Sequence, residues 1–123
     1  MIGYPARSEI WLVSLEPVRR SEIGKTRPAL IISNDRNNEF ASTLTLLPIT
    51  TTISKVYPFE VMIHSRDSGL PKDSKIKCNQ VRTVDRSRLL KKVGQVSTED
   101  MKKVEEALLI HLDIRPALDD LLK

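Results

Sequence analysis

The sequence predicts a mainly β fold: a small, strongly bent antiparallel sheet, or partial barrel, with one C-terminal helix covering one opening. Short apolar runs separated by polar segments recur through residues 9–93, as in small all-β domains. The only long helical periodicity comes after them, from Ser97 onward. Strands do not alternate with helices, as they would in a parallel sheet. With 123 residues, the chain is long enough for one domain with its own hydrophobic core.

Three strands are predicted in the first half of the chain from apolar runs rich in β-branched residues. They are Glu9–Leu15, Ala29–Ser33 and Leu44–Thr50. The polar segment Val18–Thr26 is a predicted loop. Asn34–Asn38 is a predicted turn, because Asn and Asp side chains bond nearby backbone. Pro48 lacks a ladder donor, so the third strand is expected at an edge or a bulge.

Three more strands are predicted in the second half. They are Phe59–Ile63, Lys75–Asn79 and Leu89–Val93, with polar connections at Thr51–Val56 and Asp67–Asp73. Ile76 and Cys78 should point inward, whereas after Gln80 the apolar position passes to Val81. A one-residue slip reverses every side chain, so a bulge is expected near Asn79-Gln80. Gly94 is expected to stop the last strand.

The predicted helix begins after Ser97, which can cap it, and has acidic residues in its first turn. Its apolar stripe at helical spacing is Met101, Val104, Leu108 and Leu112. Arg115-Pro116 breaks the pattern. We therefore expect one domain over residues 1–114 and a C-terminal extension over 115–123, where Ala117–Lys123 forms a short helix or a loose tail.

Composition predicts a cytoplasmic protein that does not enter a membrane. The chain has no run of 18 apolar residues, and Met1–Arg7 lacks the apolar stretch of a signal peptide. Its single cysteine, Cys78, cannot form an internal disulfide.

Positive charge is concentrated in the first 96 residues, which hold 16 Lys and Arg against 9 Asp and Glu. Residues 97–123 hold 4 against 7. Two basic stretches stand out, Arg19–Arg27 and Lys75–Lys92. A basic face on a small domain favours a polyanion partner, with nucleic acid as the first candidate. An ordinary solvated surface explains the same charges equally well.

The stretch Gly24-Lys25-Thr26-Arg27-Pro28 looks at first like part of a phosphate-binding P-loop. That motif needs a glycine at position 19, which is Arg19, and a helix after the lysine. An apolar, strand-like run follows instead. We therefore interpret the stretch as a loop that brings Arg27 to the start of a strand.

Metal and cysteine chemistry are poorly supported, and no metal or other cofactor is predicted. His64 and His111 are isolated in the sequence. A Cys–His catalytic pair stays open as an alternative. However, Cys78 lies on the inward side of its strand, where free cysteine usually behaves as a small hydrophobic residue.

Arginine, threonine and glutamine are concentrated where predicted strands meet loops. These residues are Arg27, Thr50, Thr51, Thr52, Gln80, Arg82 and Thr83. Arginine offers a permanently charged planar fork and hydroxyls offer short neutral bonds, so together they suit a phosphodiester. In the alternative interpretation, Arg27 pairs with Glu22, Arg82 pairs with Asp85, and the threonines only favour strand.

Several stretches together resemble the MazF/PemK family, the toxins of type II toxin–antitoxin pairs. The matching stretches are Arg7–Val13, Ser21–Ala29, Leu47–Thr51, Tyr57–Val61 and Gln80–Asp85. The combination of "GKTRP", "YPFEV" and "QVRTVD" in this order is specific, and the resemblance spans about residues 7–114.

The resemblance implies a metal-independent endoribonuclease with an SH3-like partial barrel of the MazF/CcdB type, acting as a homodimer. Such an enzyme cleaves single-stranded RNA at a short motif by 2′-hydroxyl attack, leaving a cyclic phosphate and a 5′-hydroxyl. A cognate antitoxin would neutralise it by laying an acidic C-terminal tail across the RNA groove.

The family's catalytic arginine and threonine fall on Arg27 and Thr50, and a glutamate important in some members falls on Glu22. A base-contacting glutamine falls on Gln80. We assign RNA binding to Gln80 together with Ser21, Thr51, Asn79 and Arg82.

The chain also departs from the family pattern at two places. It has Arg7-Ser8-Glu9 where the family commonly has Arg-Gly-Asp, and Arg20 where a glycine is frequent. Both changes flank the groove, so they bear on RNA sequence preference more than on chemistry. Two rival functions remain from the sequence: a CcdB-like inhibitor of DNA gyrase, and a non-catalytic RNA-binding domain.

Overall fold

A computed structural model describes residues 3–16 and 25–115, which form a mainly β fold with a C-terminal helix. The strands are β1 Glu9–Ser14, β2 Thr26–Ile31, β3 Thr43–Thr50, β4 Glu60–Ile63, β5 Ser74–Lys77, β6 Arg82–Asp85 and β7 Leu89–Gln95. The helices are α1 Asp35–Phe40, α2 Ser65–Ser68 and α3 Thr98–Leu112, and a 3₁₀ turn covers Arg86–Arg88. Most of the predicted loop Val18–Thr26 and nearly all of the predicted extension lie outside the described residues.

All pairings in the sheet are antiparallel, in the order β4-β5-β3-β2-β1-β7. On the edge of β3 that faces away from β2, two strands pair with different parts of β3. β6 pairs with Thr43–Leu46, and β5 pairs with Ile49 and Thr50. Among the described strands, β4 and β7 end the order and do not pair with each other. The sheet is therefore bent and open, which confirms the predicted partial barrel.

The sheet buries an apolar core on each of its faces. The first core lies between the sheet and α3 and includes Ile10, Leu30, Leu47, Ile49, Val61, Ile63, Ile76, Met101 and Val104. The second core, on the opposite face, consists of Val13, Leu15, Ala29, Ile31, Leu44, Leu46 and Val84. Every second residue of β2 and β3 thus serves one core, and the residues between serve the other.

Helix α3 begins as predicted, because the Ser97 hydroxyl accepts a hydrogen bond from the Asp100 amide at 3.1 Å. Met101 and Val104 are buried in the first core. Leu112, predicted to continue the stripe, is exposed because it lies in the last turn, beyond the sheet. Among the described residues, no helix is long and apolar enough to span a membrane.

Two predicted boundaries near Arg27 and Asn34 were wrong. Strand β2 begins at Thr26, so Arg27 and Pro28 lie in the strand and not in a loop before it. The predicted turn Asn34–Asn38 is the start of α1. The Asn34 side chain caps this helix by accepting from the Asn37 amide at 2.9 Å, which is the helix-starting role of a residue type also common in turns.

The expectation of an edge at Pro48 holds on one side of β3 only. Pro48 lies inside β3, opposite Ala29 of β2. On the other edge of β3, the partner changes from β6 at Leu46 to β5 at Ile49. The missing N–H of proline is tolerated here because Pro48 falls in the gap between these two partners.

A register break occurs near Asn79-Gln80 as predicted, but its form differs. Between the pairs Ile49–Ile76 and Leu46–Arg82, three steps along β3 correspond to six along the partner chain. The extra residues form a turn between two separate strands, and not a bulge. Val81 does not take the inward position, because it lies in this turn and is 41% exposed.

Gly94 does not stop the last strand, since β7 continues to Gln95. It allows a close approach instead. A Cβ atom at this position would lie 2.0 Å from the Ser68 carbonyl oxygen. The absence of a side chain therefore lets β7 contact the end of α2. Helix α2 extends to Ser68, so the first two residues of the predicted Asp67–Asp73 loop are helical.

Candidate functional site

The pairing of β2 with β3 brings Arg27 and Thr50 together. Ala29 lies opposite Pro48. Continuing this antiparallel register by two residues puts Arg27 opposite Thr50, the last residue of β3. Opposite residues share a face of the sheet and have Cβ atoms about 4.5–5.5 Å apart. Arg27 and Thr50 are both half-buried, whereas Ala29 and Leu46 on the same face belong to the second core, so the pair lies at the rim of that core.

The Thr50 hydroxyl is suited to donate to a bound group. Its oxygen accepts a hydrogen bond from the Thr52 amide at 3.2 Å. A hydroxyl carries one proton to donate in addition to its acceptor sites, so this contact leaves the proton available to a phosphoryl oxygen. Thr51, the next residue, is exposed.

Arg82 lies on the same face but further along the sheet. Arg82 is in β6 and lies opposite Leu46 of β3. Leu46 comes four residues before Thr50, so Arg82 and Thr50 are separated by about 13 Å along β3. Arg82 and Asp85 lie three residues apart in one strand, so they project to opposite faces. The Asp85 carboxylate instead accepts from the Ser87 amide at 2.9 Å. This geometry disfavours the predicted alternative of an Arg82–Asp85 pair.

Asn79 and Gln80 lie in the turn between β5 and β6, where the backbone amide of Gln80 donates to the Lys77 carbonyl at 3.0 Å. Both side chains are half-buried. Among the described residues, the Asn79 side-chain oxygen is buried without a hydrogen-bond partner. Arg27, Gln80 and Arg82 all make interactions within the protein. The predicted site residues Ser21 and Glu22 lie outside the described residues.

The basic stretch Lys75–Lys92 is less available to a polyanion than the sequence indicates. Several of its cations bind groups of the protein itself. Arg86 donates to the Asn38 and Ala41 carbonyls, Arg88 donates to the Ser14 and Glu16 carbonyls, and Lys92 pairs with Glu9 at 3.1 Å. Much of this positive charge therefore ties loops and strands together.

Sequence reasoning missed a buried charge cluster formed by Glu60, Lys75 and Lys77. Glu60 is 5% exposed and Lys75 is 6% exposed. The Lys75 ammonium lies 2.9 Å from Glu60 Oε1, and the Lys77 ammonium lies 2.7 Å from Glu60 Oε2. Burial alone would raise the pKa of Glu60, but hydrogen bonds from Lys77, the Tyr57 amide and Lys75 lower it overall.

A signal for this cluster was present in the alternation of the two strands. In β4, Glu60 lies on the face opposite to Val61 and Ile63. In β5, Lys75 and Lys77 lie on the face opposite to Ile76. The pairing of Glu60 with Lys77 could not be read from the sequence, because it depends on the register of this hairpin across a ten-residue connection.

The structure disfavours Cys78 as a nucleophile, because its side chain is fully buried. Burial, with a further contribution from the Glu60 charge, raises the pKa of its thiol to about 12, so the reactive thiolate is not populated near neutral pH. His64 lies 3.7 Å from Asp73. Within residues 3–16 and 25–115, no three His, Cys, Asp or Glu side chains are grouped closely enough to hold a metal ion.

Comparisons with known proteins agree with this architecture. Residues 6–112 match the family described as the PemK-like, MazF-like toxin of type II toxin–antitoxin systems. The chain is 42% identical over 113 residues to endoribonuclease MazF9 of Mycobacterium tuberculosis, which covers 88% of this chain and 96% of the relative.

Solved structures show the same fold. MazF from Deinococcus radiodurans has a TM-score of 0.79 at 23% identity, covering 90% of this chain and 98% of that one. A mycobacterial endoribonuclease in complex with its cognate antitoxin has a TM-score of 0.76 at 22% identity, covering 92% and 99%. Since the family match spans nearly the whole chain, this protein belongs to the PemK-like, MazF-like toxin family of type II toxin–antitoxin systems.

Proposed function

We propose that this toxin-family endoribonuclease cleaves single-stranded RNA at a short sequence motif, without a metal ion, by attack of a 2′-hydroxyl on the adjacent phosphorus. The observation that carries the proposal is the antiparallel register of β2 on β3, which, continued two residues beyond the Ala29–Pro48 pair, puts Arg27 and Thr50 opposite each other on one face of the sheet. A cationic fork and a hydroxyl donor at this spacing can bind one phosphate group from two sides.

The reaction uses the nucleophile that RNA itself supplies. The 2′-oxygen forms a bond to phosphorus, the bond from phosphorus to the 5′-oxygen breaks, and the products are a cyclic phosphate and a 5′-hydroxyl. Arg27 neutralises charge on the scissile phosphate and assists the leaving oxygen, while Thr50 donates to a phosphoryl oxygen. Arginine stays protonated near neutral pH, so Arg27 acts through its charge and not as a general base.

Glu22 is proposed to orient Arg27 or to accept the 2′-hydroxyl proton. This role rests on the family resemblance and on the chemistry of a carboxylate, which is a suitable acceptor for that proton. The proton removed from the 2′-hydroxyl and the proton gained by the 5′-oxygen balance across the reaction.

RNA recognition is assigned to the residues around this pair. Asn79 and Gln80 read base edges from the turn between β5 and β6, where both residues are half-buried. Arg82 binds a phosphate further along the strand, and Thr51 and Ser21 add hydroxyl contacts next to Thr50 and Glu22. Edge hydrogen bonds and phosphate contacts should dominate, because only five aromatic residues are available for stacking.

The remaining parts of the proposal concern partners and organisation. The enzyme acts in the cytoplasm as a homodimer, and the acidic C-terminal tail of a cognate antitoxin lies across the RNA groove. A related solved structure with its cognate antitoxin supports such a partner. Residues 1–114 form the catalytic domain, and 115–123 form an extension.

The test is cleavage of a long single-stranded RNA by the purified protein in EDTA. Arg27→Ala should lower the cleavage rate by at least about 10²-fold, as loss of one such stabilising group typically does. Arg36→Ala is the matched control, since it removes the same charge from an exposed position on α1. The fragment ends should carry 5′-hydroxyls, and the cut sites give the motif.

Two results would contradict the proposal. Near-normal cleavage by a folded Arg27→Ala protein would remove Arg27 from the reaction, and cleavage that needs added Mg²⁺ would remove metal independence. A folded wild-type protein that cuts no RNA would favour the non-catalytic RNA-binding or gyrase-inhibiting alternatives, which binding and gyrase assays separate.

A further inference from the structure

The buried cluster of Glu60, Lys75 and Lys77 adjoins the candidate site directly. Lys75 of β5 lies opposite Thr50 of β3. Opposite residues of an antiparallel pair share a face, so the Lys75 side chain leaves the sheet beside the Thr50 hydroxyl. Lys77 lies opposite Glu60, and all three charged side chains therefore lie on the face that carries Thr50.

The same cluster holds the connection between β3 and β4, residues 51–59. The Lys75 ammonium donates to the Lys55 carbonyl at 2.6 Å, and the Tyr57 amide donates to Glu60 Oε1 at 2.9 Å. The Tyr57 ring lies 5.9 Å from the Lys75 ammonium and stacks on Phe59 with 5.4 Å between centroids. One buried ammonium thus links the carboxylate, the connection and the strand next to Thr50.

Stability alone does not explain such a cluster. Removing charges from water costs free energy that the ion pairs only partly return, and apolar side chains of similar size often stabilise a fold as well or better. The charged groups supply hydrogen bonds to specific atoms, which apolar side chains cannot form. Lys75 binds two specific oxygens, one on Glu60 and one on the Lys55 backbone, and this fixes a connection that has no secondary structure of its own.

We propose that Lys75 and Glu60 are positioning residues, which fix the connection 51–59 against β5 and so hold Thr50 and Thr51 in place for the RNA phosphate. The inference rests on the proposed nuclease function. A misplacement of about 1 Å in a catalytic group can lower the rate about 10²-fold, so loss of the Lys75 contact with the connection should reduce turnover.

Lys75→Met tests the inference, and Lys77→Met is its matched control. Both variants remove one charge and one ion pair with Glu60, but the Lys75 ammonium also donates to the connection, at the Lys55 carbonyl, whereas the Lys77 ammonium lies against Glu60 Oε2. We expect Lys75→Met to lower kcat about 10- to 100-fold with a smaller change in KM, and Lys77→Met to cleave within about threefold of wild type.

A double variant separates positioning from stability. Lys75→Met alone leaves the buried Glu60 carboxylate with Lys77 as its one remaining cation in the cluster. Glu60→Gln with Lys75→Met removes the two most buried charges together, and Lys77, whose side chain is 20% exposed, can turn to water, so this double variant should recover thermal stability. If the cluster positions the connection, the double variant regains melting temperature but not turnover. Recovery of turnover together with stability would overturn the inference.

Amide hydrogen exchange gives a readout that does not depend on RNA cleavage. Exchange in residues 51–59 should be faster in Lys75→Met and in the double variant than in wild type or Lys77→Met. Unchanged exchange there, with normal turnover, contradicts the inference and leaves the nuclease proposal intact. If wild type cuts no RNA, the nuclease proposal fails, and the exchange data alone decide whether Lys75 fixes the connection.

Discussion

Ser8 has a backbone conformation that its residue type disfavours. Its φ angle is 77°, in the left-handed region where glycine is at home. Serine adopts this conformation less easily than glycine, because its Cβ crowds the backbone. Hydrogen bonds from the Ser8 amide to the Ile31 carbonyl, and from the Val96 amide to the Ser8 carbonyl, hold the conformation, both at 2.9 Å.

Ser8→Gly should therefore stabilise the protein. Relief of the left-handed strain is worth about 1–2 kcal/mol, and the greater freedom of glycine in the unfolded chain offsets part of it. We expect the free energy of unfolding to rise by up to about 1 kcal/mol in urea titrations. Ser14→Gly, in an extended strand, is the control and should destabilise. A loss of stability in Ser8→Gly would show that its hydroxyl matters more than its backbone.

Strand β7 and helix α2 lie close together because Gly94 of β7 has no side chain. At Gly94 an added Cβ would lie 2.0 Å from a carbonyl oxygen of α2, which is backbone and cannot rotate away. The contact joins the far end of the sheet to the segment between β4 and β5. Loss of this contact should loosen β7 and α2 together.

Gly94→Ala is expected to destabilise the fold by about 1–3 kcal/mol, as overpacking in a tight site does. Thermal unfolding by circular dichroism measures the change. Gly3→Ala is the control, because nothing lies within 4 Å of a Cβ at Gly3 and its effect should be small. Equal melting temperatures for the two variants would mean that β7 and α2 separate at little cost.

At the scale of the whole molecule, ionised carboxylates contribute to the stability of the fold. Hydrogen bonds and nearby charges lower the pKa values of four carboxyl groups: Glu9, Glu60, Asp73 and Asp85. A carboxyl with a lowered folded pKa contributes stability above its ordinary pKa, and this contribution is lost as the pH falls through the folded value.

The free energy of unfolding should consequently fall as the pH decreases below about 5. Urea titrations at several pH values between 7 and 3 measure it. Glu60→Gln should flatten this dependence, since its charge can no longer be neutralised, whereas the exposed Glu39→Gln should leave the slope unchanged. A stability that stays constant from pH 7 to pH 3 would contradict the role assigned to these carboxylates.

Local patterns in the sequence were sufficient for the fold class, most strands and the start of α3. Alternation and capping depend on neighbouring residues, so Ser97 and the apolar run of β1 could be interpreted without knowledge of the rest. Arg27 and Thr50 were chosen for the chemistry of their side chains and for the family resemblance. Where local signals were ambiguous the predictions failed, as at Asn34, whose side chain can cap a helix as well as a turn.

Only the tertiary structure decided which distant residues meet. The register of β2 on β3, continued two residues, puts Arg27 opposite Thr50. The register of β4 on β5 buries Lys75 and half-buries Lys77 around Glu60, although the sequence presents both lysines as basic surface. The physical reason is that a local pattern fixes the face on which a side chain lies, whereas its partner depends on pairing between strands far apart in the chain. The sequence by itself therefore determined the fold class and the chemical types at the candidate site, and the pairing of strands decided which of those side chains lie next to one another.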